Sequence, residues 1–333
     1  MKRRMTRRGK LVIMAFAAIM IIAVYNTVHK NKSSDSVPVQ KNTPADEVTT
    51  IPISTETVSN TDAVAETTTI LPQIKLSGCT SAAAYCLEND TLLFSQDADR
   101  SIAPASLTKL LTACTALKYI SPDMCCTVGT EQFLVQPESS LCYISQGQQI
   151  TAEDLITGMM MASGNDAAYA LAVNTARNVS ADANMSDYQA VEFFCGLMNS
   201  FAAELGMKNS NFVSPDGWDT NGQYTTVSDL LILARYSATV PEIRKAAECY
   251  EKQLNILSGE GFAWHNSNKL LDPNSEFYRK DASGLKTGST INAGNSLIAV
   301  FEINGLTYLT IVTGCETDYD RYSLTLQLIN EYT

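Results

Sequence analysis

Three short polar patterns occur in fixed order along the chain: Ser106-Leu107-Thr108-Lys109, Ser163-Gly164-Asn165 and Lys286-Thr287-Gly288. Together they hold the parts of a serine acyl-transfer site: a nucleophile, an amine base one helical turn away, a hydroxyl relay and a second cation. Histidine plays no part in this set. The chain has only two, His29 and His265, so a Ser-His-Asp arrangement would have to draw on His265, which otherwise reads as a polar loop or packing residue.

Each pattern depends on the element that presents it. Ser106 opens a predicted helix over 106–119, and Lys109 at i+3 lies on the same face. Between Leu107 and Leu117 the sole charge is Lys109, with apolar residues nearly all round, as in a buried helix. Desolvation disfavours an ammonium there and leaves a neutral amine able to act as a base. Backbone N–H dipoles at the helix start suit a developing oxyanion near the serine. A second Ser-x-x-Lys, Ser283-Gly284-Leu285-Lys286, precedes a strand and offers none of this. Taken alone, Ser106 equally suits an ordinary N-cap with Lys109 snorkelling.

Ser163-Gly164-Asn165 falls between two predicted helices. There Ser163 could pass a proton between Lys109 and a leaving amine while Asn165 holds a carbonyl. The plain alternative is an interhelical turn with Asn in a left-handed conformation. Lys286 and Thr287, on a late strand, could hold a carboxylate, and Gly288 would let a substrate approach the backbone. An exposed edge-strand lysine is the alternative there.

Strands are predicted at 81–87 and 91–95 around a turn at 88–90, with short strand pieces within 126–150. Thr151-Ala152-Glu153-Asp154 resembles a capping box opening a helix to 162. Further helices are expected at 166–175, 188–205 and 226–238. The end of the chain reads as strands at 285–287, 296–303 and 306–313, the last two joined by Asn304-Gly305, a hairpin signal. A helix over 318–331 closes it. Strands at both ends around a helical middle imply an α+β fold: one antiparallel sheet formed from both chain ends, flanked by helices.

The first ten residues carry six Lys or Arg and no acid, and an apolar run over 11–25 follows. This is an export signal with its basic end held in the cytoplasm. The tripeptide Ala15-Phe16-Ala17 lies too deep in the run for convenient cleavage, which favours an uncleaved anchor over 11–28 and a single-pass location in the cell membrane. Removing the six leading cations leaves 18 Lys and Arg against 35 Asp and Glu. That acidity makes nucleic acid an unsuitable partner. Residues 29–73, with no aromatic and no glycine, read as a disordered Ser/Thr-rich tether with a coil dimension of roughly 35–40 Å. The remaining 74–333 is long enough for one large catalytic domain. Nine cysteines, an odd number, show no metal-binding spacing, so no metal or cofactor is called for.

The three patterns together are the signature of penicillin-binding proteins and class A β-lactamases. Over 80–333 the chain resembles the low-molecular-weight penicillin-binding proteins of the D-alanyl-D-alanine carboxypeptidase family, with their β-lactamase/transpeptidase-like fold. The resemblance rests on Pro104 through Ala113, Met161 through Ala168, Leu205-Gly206-Met207 with Phe212, Pro215-Asp216-Gly217, Tyr224-Thr225-Thr226 with Asp229, and Gly284 through Gly288 with Ala293-Gly294. It implies that Ser106 attacks the carbonyl between two D-alanines of a peptidoglycan stem peptide, with Lys109 as base. Ser163 and Lys286 would carry a proton to the departing D-alanine. The N–H groups of Ser106 and Ser289 would form the oxyanion hole, Asn165 would hold the substrate amide, and Thr287 would bind the terminal carboxylate. β-Lactams would be trapped at Ser106. Many relatives carry a C-terminal β-rich domain and anchoring helix, so the resemblance implies that the N-terminal segment serves as anchor here. Many also have a bulky residue where this chain has Ser289.

Two other readings stand beside it. A class A β-lactamase needs a base carboxylate after the Ser-x-Asn, and no Glu-x-x-Leu-Asn run occurs there. A non-catalytic penicillin sensor or wall-binding module would keep the fold, but an intact motif set argues against it.

Overall fold

The computed structural model describes residues 74–182 and 184–333. The basic start 1–10, the apolar segment 11–28 and the tether 29–73 lie outside them. Nine strands occur among the described residues: β1 (Ser81–Cys86), β2 (Thr91–Gln96), β3 (Cys125–Thr127), β4 (Gln149–Thr151), β5 (Glu251–Asn255), β6 (Gly261–His265), β7 (Ala282–Thr290), β8 (Gly294–Ile303) and β9 (Leu306–Cys315). The helices are α1 (Thr108–Tyr119), α2 (Ala152–Met161), α3 (Asn165–Val179), α4 (Asp187–Leu205), α5 (Val227–Ser237), α6 (Pro241–Ala247) and α7 (Asp318–Tyr332).

Five strands form one antiparallel sheet in the order β2-β1-β9-β8-β7. The first strand of the described chain thus pairs with the last, Ser81 opposite Thr313, as expected from strands at both ends. Side chains alternate across the sheet. Along β8, Leu297, Ala299 and Phe301 pack with Tyr322 and Ile329 of α7. Ile298 and Val300 face the other way, into the large core shared with α1 through α6. A strand covered on both faces needs a continuous apolar run, which β8 supplies. Each fully buried side chain of this size contributes about 1.5–3 kcal/mol relative to exposure.

Local signals set the ends of the elements. Asn304 (φ 54°) and Gly305 (φ 78°) both turn left-handed between β8 and β9, as a two-residue hairpin demands. Full capping boxes start α4 (Ser186 with Gln189) and α7 (Thr317 with Asp320). At Thr151 the hydroxyl accepts from the Asp154 N–H at 3.0 Å, but the reciprocal half of the predicted box is not made among the described residues.

Three differences from the sequence expectations have physical causes. β7 is three times the length predicted, because Gly284, Gly288 and Ser289 look like breakers yet tolerate an edge position paired only with β8. The β5–β6 hairpin was not anticipated, since Glu251–Asn255 is a polar segment half-exposed at the periphery. The seven-residue α6 was also missed, being too short to show a clear period.

Candidate active site

The candidate nucleophile, Ser106, is positioned where α1 begins. A short 3-10 turn, Ala105–Leu107, runs directly into α1, and neither start carries a side-chain cap. Ser106 is therefore not spent on capping, and its hydroxyl stays available. Gly217 explains how the turn is held: a Cβ there would lie 1.8 Å from the Ala105 carbonyl oxygen, and its φ is +89°. Only glycine allows the 214–217 loop to come this close.

Lys109 is fully buried. Its Nζ lies 2.7 Å from Ser106 Oγ, 2.7 Å from Asn165 Oδ1 and 2.8 Å from the Asp216 carbonyl oxygen. Three acceptors saturate the amine and aim it at the serine. Burial lowers its pKa to about 8, with the carboxylates of Asp216 and Asp166 resisting part of that fall. A neutral fraction is thus present near neutral pH, as a base for the hydroxyl requires.

Asn165 begins α3 and connects three segments. Its Nδ2 donates to Asp216 Oδ2 at 2.7 Å and to Ser139 Oγ at 3.0 Å. Its backbone N–H donates to Ser140 O at 2.8 Å. The next residue, Asp166, is buried and accepts from the N–H groups of Cys142, Ile144 and Ala167. These bonds pin the 139–144 segment against the start of α3, where a carboxylate also suits the helix dipole.

Ser163 lies in the break between α2 and α3, buried, with φ +56°. The left-handed residue of this turn is therefore the serine, while Asn165 is already helical. Ser163 makes no side-chain hydrogen bond among the described residues and is not bonded to the Ser106–Lys109 pair.

Lys286 and Thr287 project from edge strand β7. Lys286 is buried and donates to the Thr287 carbonyl at 3.1 Å. Burial, then the nearby charges of Lys109 and Arg321, hold its pKa well below the usual lysine value. Thr287 Oγ1 lies 2.8 Å from Ser267 Oγ. Gly288 also has a packing reason. A Cβ there would sit 3.2 Å from Ala105 Cβ and 3.3 Å from the Leu107 nitrogen, so the glycine lets β7 close against the Ala105–Leu107 turn. Ser289 Oγ contacts Asn295 Oδ1 at 2.9 Å and accepts from Arg321 Nη1 at 3.0 Å.

A cavity of about 430 Å³ opens over these groups, lined among others by Ser106, Ser139, Asn165, Asp216, Trp218 and Ser289. Its size suits a short peptide end. His265 does not line it. It lies on β6 with an exposed side chain, its Nε2 3.8 Å from a Glu251 carboxylate oxygen, so a histidine triad finds no support.

The structure therefore joins Ser106 and Asn165 through Lys109 and places Ser289, the last residue of the Lys286–Ser289 run, on the cavity wall. Several further residues were not legible as site residues. Asp216 appeared only inside the Pro215-Asp216-Gly217 block of the resemblance, and Ser139 and Ser267 carry no pattern at all. Arg321, from α7, is 7 % exposed and reaches the Gly288 and Ser296 carbonyls as well as Ser289. It also pairs with Asp318, and its Nε has no partner among the described residues.

Comparisons with known proteins point to one family. The Peptidase_S11 family, described as D-alanyl-D-alanine carboxypeptidase, matches residues 74–317. The chain is 27 % identical over 252 residues to the Bacillus subtilis D-alanyl-D-alanine carboxypeptidase DacF, covering 74 % of this chain and 60 % of that one. It is 32 % identical over 249 residues to Escherichia coli DacC, covering 70 % and 56 %. The chain thus spans less than two thirds of the length of these curated relatives. The solved Streptomyces K15 DD-transpeptidase superposes with a TM-score of 0.69 at 26 % identity, over 78 % of this chain and 98 % of that one. With motifs, fold and site geometry in agreement, this chain belongs to the D-alanyl-D-alanine carboxypeptidase family, Peptidase_S11.

Proposed function

We propose that this protein hydrolyses the terminal D-Ala-D-Ala bond of peptidoglycan stem peptides through an acyl-enzyme at Ser106. The observation that carries the reading is the 2.7 Å contact between Ser106 Oγ and the buried Lys109 amine. Neutral Lys109 takes the hydroxyl proton as Ser106 attacks the penultimate D-alanine carbonyl. The resulting oxyanion is held by the backbone N–H groups of Ser106 and Ser289. As the C–N bond breaks, Ser163 and Lys286 relay a proton to the departing D-alanine. Asn165 holds the substrate amide, and Thr287, Ser289 and Arg321 receive the terminal carboxylate, a group that suits a guanidinium beside two hydroxyls. Water, deprotonated by Lys109, then cleaves the ester and regenerates Ser106.

A β-lactam would follow the same first step, but its leaving amine stays covalently attached and blocks the water. Asp216, a carboxylate on the cavity wall, has both oxygens engaged, by Asn165 on one side and by Ser214 and Trp218 on the other. It is therefore not free to activate a water, as the base carboxylate of a class A β-lactamase would have to be. Residues 11–28 would tether the enzyme to the membrane with its catalytic part outside.

The test is to incubate the full chain with fluorescent penicillin and with diacetyl-Lys-D-Ala-D-Ala. Wild type should form a long-lived adduct and release D-alanine, and Ser106→Ala should lose both. A wild type that does neither sinks the enzyme reading.

A further inference from the structure

Three carboxylates face the cavity around Ser106: Glu138, Asp216 and Asp219. Two are committed to the protein. Asp216 is fully engaged as described, and Asp219 accepts from Thr290 Oγ1 at 2.7 Å and from the Asn292 N–H at 2.9 Å. Glu138 is exposed and has no hydrogen-bond or ion-pair partner among the described residues. The two active-site lysines are turned elsewhere, Lys109 to its three acceptors and Lys286 to the Thr287 carbonyl.

Glu138 is also held in place. It occupies the third position of the 136–139 turn, closed by the Ser139 N–H to the Gln136 carbonyl at 3.3 Å, with φ +65°. Glycine or asparagine fills such a position at no steric cost, and glutamate does not. The turn cannot swing away, because Ser139 Oγ and the Ser140 carbonyl are both bonded to Asn165. Glu138 therefore lines the same cavity as Asn165, which holds the substrate amide in the proposed reaction, and Ser289 of β7.

We infer that Glu138 is a specificity-determining residue that selects acyl donors carrying a free side-chain ammonium on the residue preceding D-Ala-D-Ala. This rests on the carboxypeptidase reading. An ammonium supplies the counter-charge that Glu138 lacks, whereas a stem whose amine is already acylated offers only a neutral amide. The enzyme would then act first on stems not yet joined through that amine.

The experiment compares Nα-acetyl-Lys-D-Ala-D-Ala, which keeps its ε-ammonium, with the Nα,Nε-diacetyl peptide, using the full chain at low salt. An exposed ion pair should favour the free amine in kcat/KM by up to about fivefold, and 0.5 M salt should shrink that ratio. Glu138→Gln, which keeps the size and the turn, should bring the ratio to about one. Glu138→Gly, which relaxes the turn, should do the same if charge is the cause. Cleavage of both peptides with no preference in wild type, or a preference that survives Glu138→Gln, overturns the inference alone. No D-alanine from either peptide overturns the carboxypeptidase reading and the inference with it.

Discussion

The coupling between Asp216 and Lys109 makes the sharpest prediction. Both are bonded to Asn165 at 2.7 Å, on opposite ends of its amide. Their charged centres are then about 6 Å apart, which at an effective dielectric near 20 is an attraction of about 3 kcal/mol, or two pH units. Burial brings Lys109 to about 8 with that support present. Asp216→Asn removes the negative charge, and it also places an amide donor against the Asn165 amide. Asn165 must then turn its own NH2 toward Lys109, which a neutral amine accepts and an ammonium opposes. Both effects lower the pKa of Lys109. The assay is the second-order rate of Ser106 acylation by fluorescent penicillin across pH 5–10. In wild type the rate should climb about tenfold per pH unit and level off near pH 8, as the base deprotonates. In Asp216→Asn the half-maximal point should fall by about one to two units, on a lower plateau, with stability reduced by about 1–3 kcal/mol from the unmatched buried donors. A wild-type profile flat from pH 6 to 9, or a half-maximal point unmoved by Asp216→Asn in a folded variant, would refute the assignment of Lys109 as the base.

Other outcomes follow from the same geometry. Gly288→Ala drives a methyl into Ala105 and the backbone of Leu107, so acylation should slow at least about tenfold and stability drop by about 1–3 kcal/mol, measured by penicillin labelling and thermal melts. Arg321→Gln removes the cation behind Ser289. Discrimination between substrates ending in D-Ala and in D-Ala amide should then collapse, and a preserved ratio of kcat/KM values would show that the carboxylate docks elsewhere. Of the nine cysteines, Cys125 is exposed, Cys79 and Cys249 are partly exposed, and six are buried. A native Ellman titration should therefore find one fast thiol, two slower ones and the remainder only after denaturation. Burial that lifts Cys114 and Cys126 to about 12 argues the same way.

What could be read in advance was local. The i, i+3 spacing of Ser106 and Lys109 on an apolar helix, the break at 163–165 and the Asn304-Gly305 hairpin each depend on neighbours in the chain. Those placements hold in the structure to within a few residues. The short amphipathic pieces, β5, β6 and α6, failed the same reading because a period needs length to show. Gly288 was noticed for its motif, but its packing role was not legible, since its neighbour across the gap is 183 positions earlier at Ala105.

The sequence by itself determined the family, through its resemblance over 80–333, and the antiparallel sheet closed by both chain ends, and it put forward Ser106 and Lys109 as candidate nucleophile and base. Hydrophobic periodicity encodes the strands and helices directly, and the ordered motif blocks carry the resemblance. Only the tertiary structure decided that Asp216 steadies Asn165, that Arg321 stands behind Ser289, and that Glu138 faces the cavity unpaired. Asp216 bonds to Lys109 across 107 positions and Arg321 to Ser289 across 32. No spacing rule links such residues, because their meeting is set by how α1, α3, β7 and α7 pack on one another.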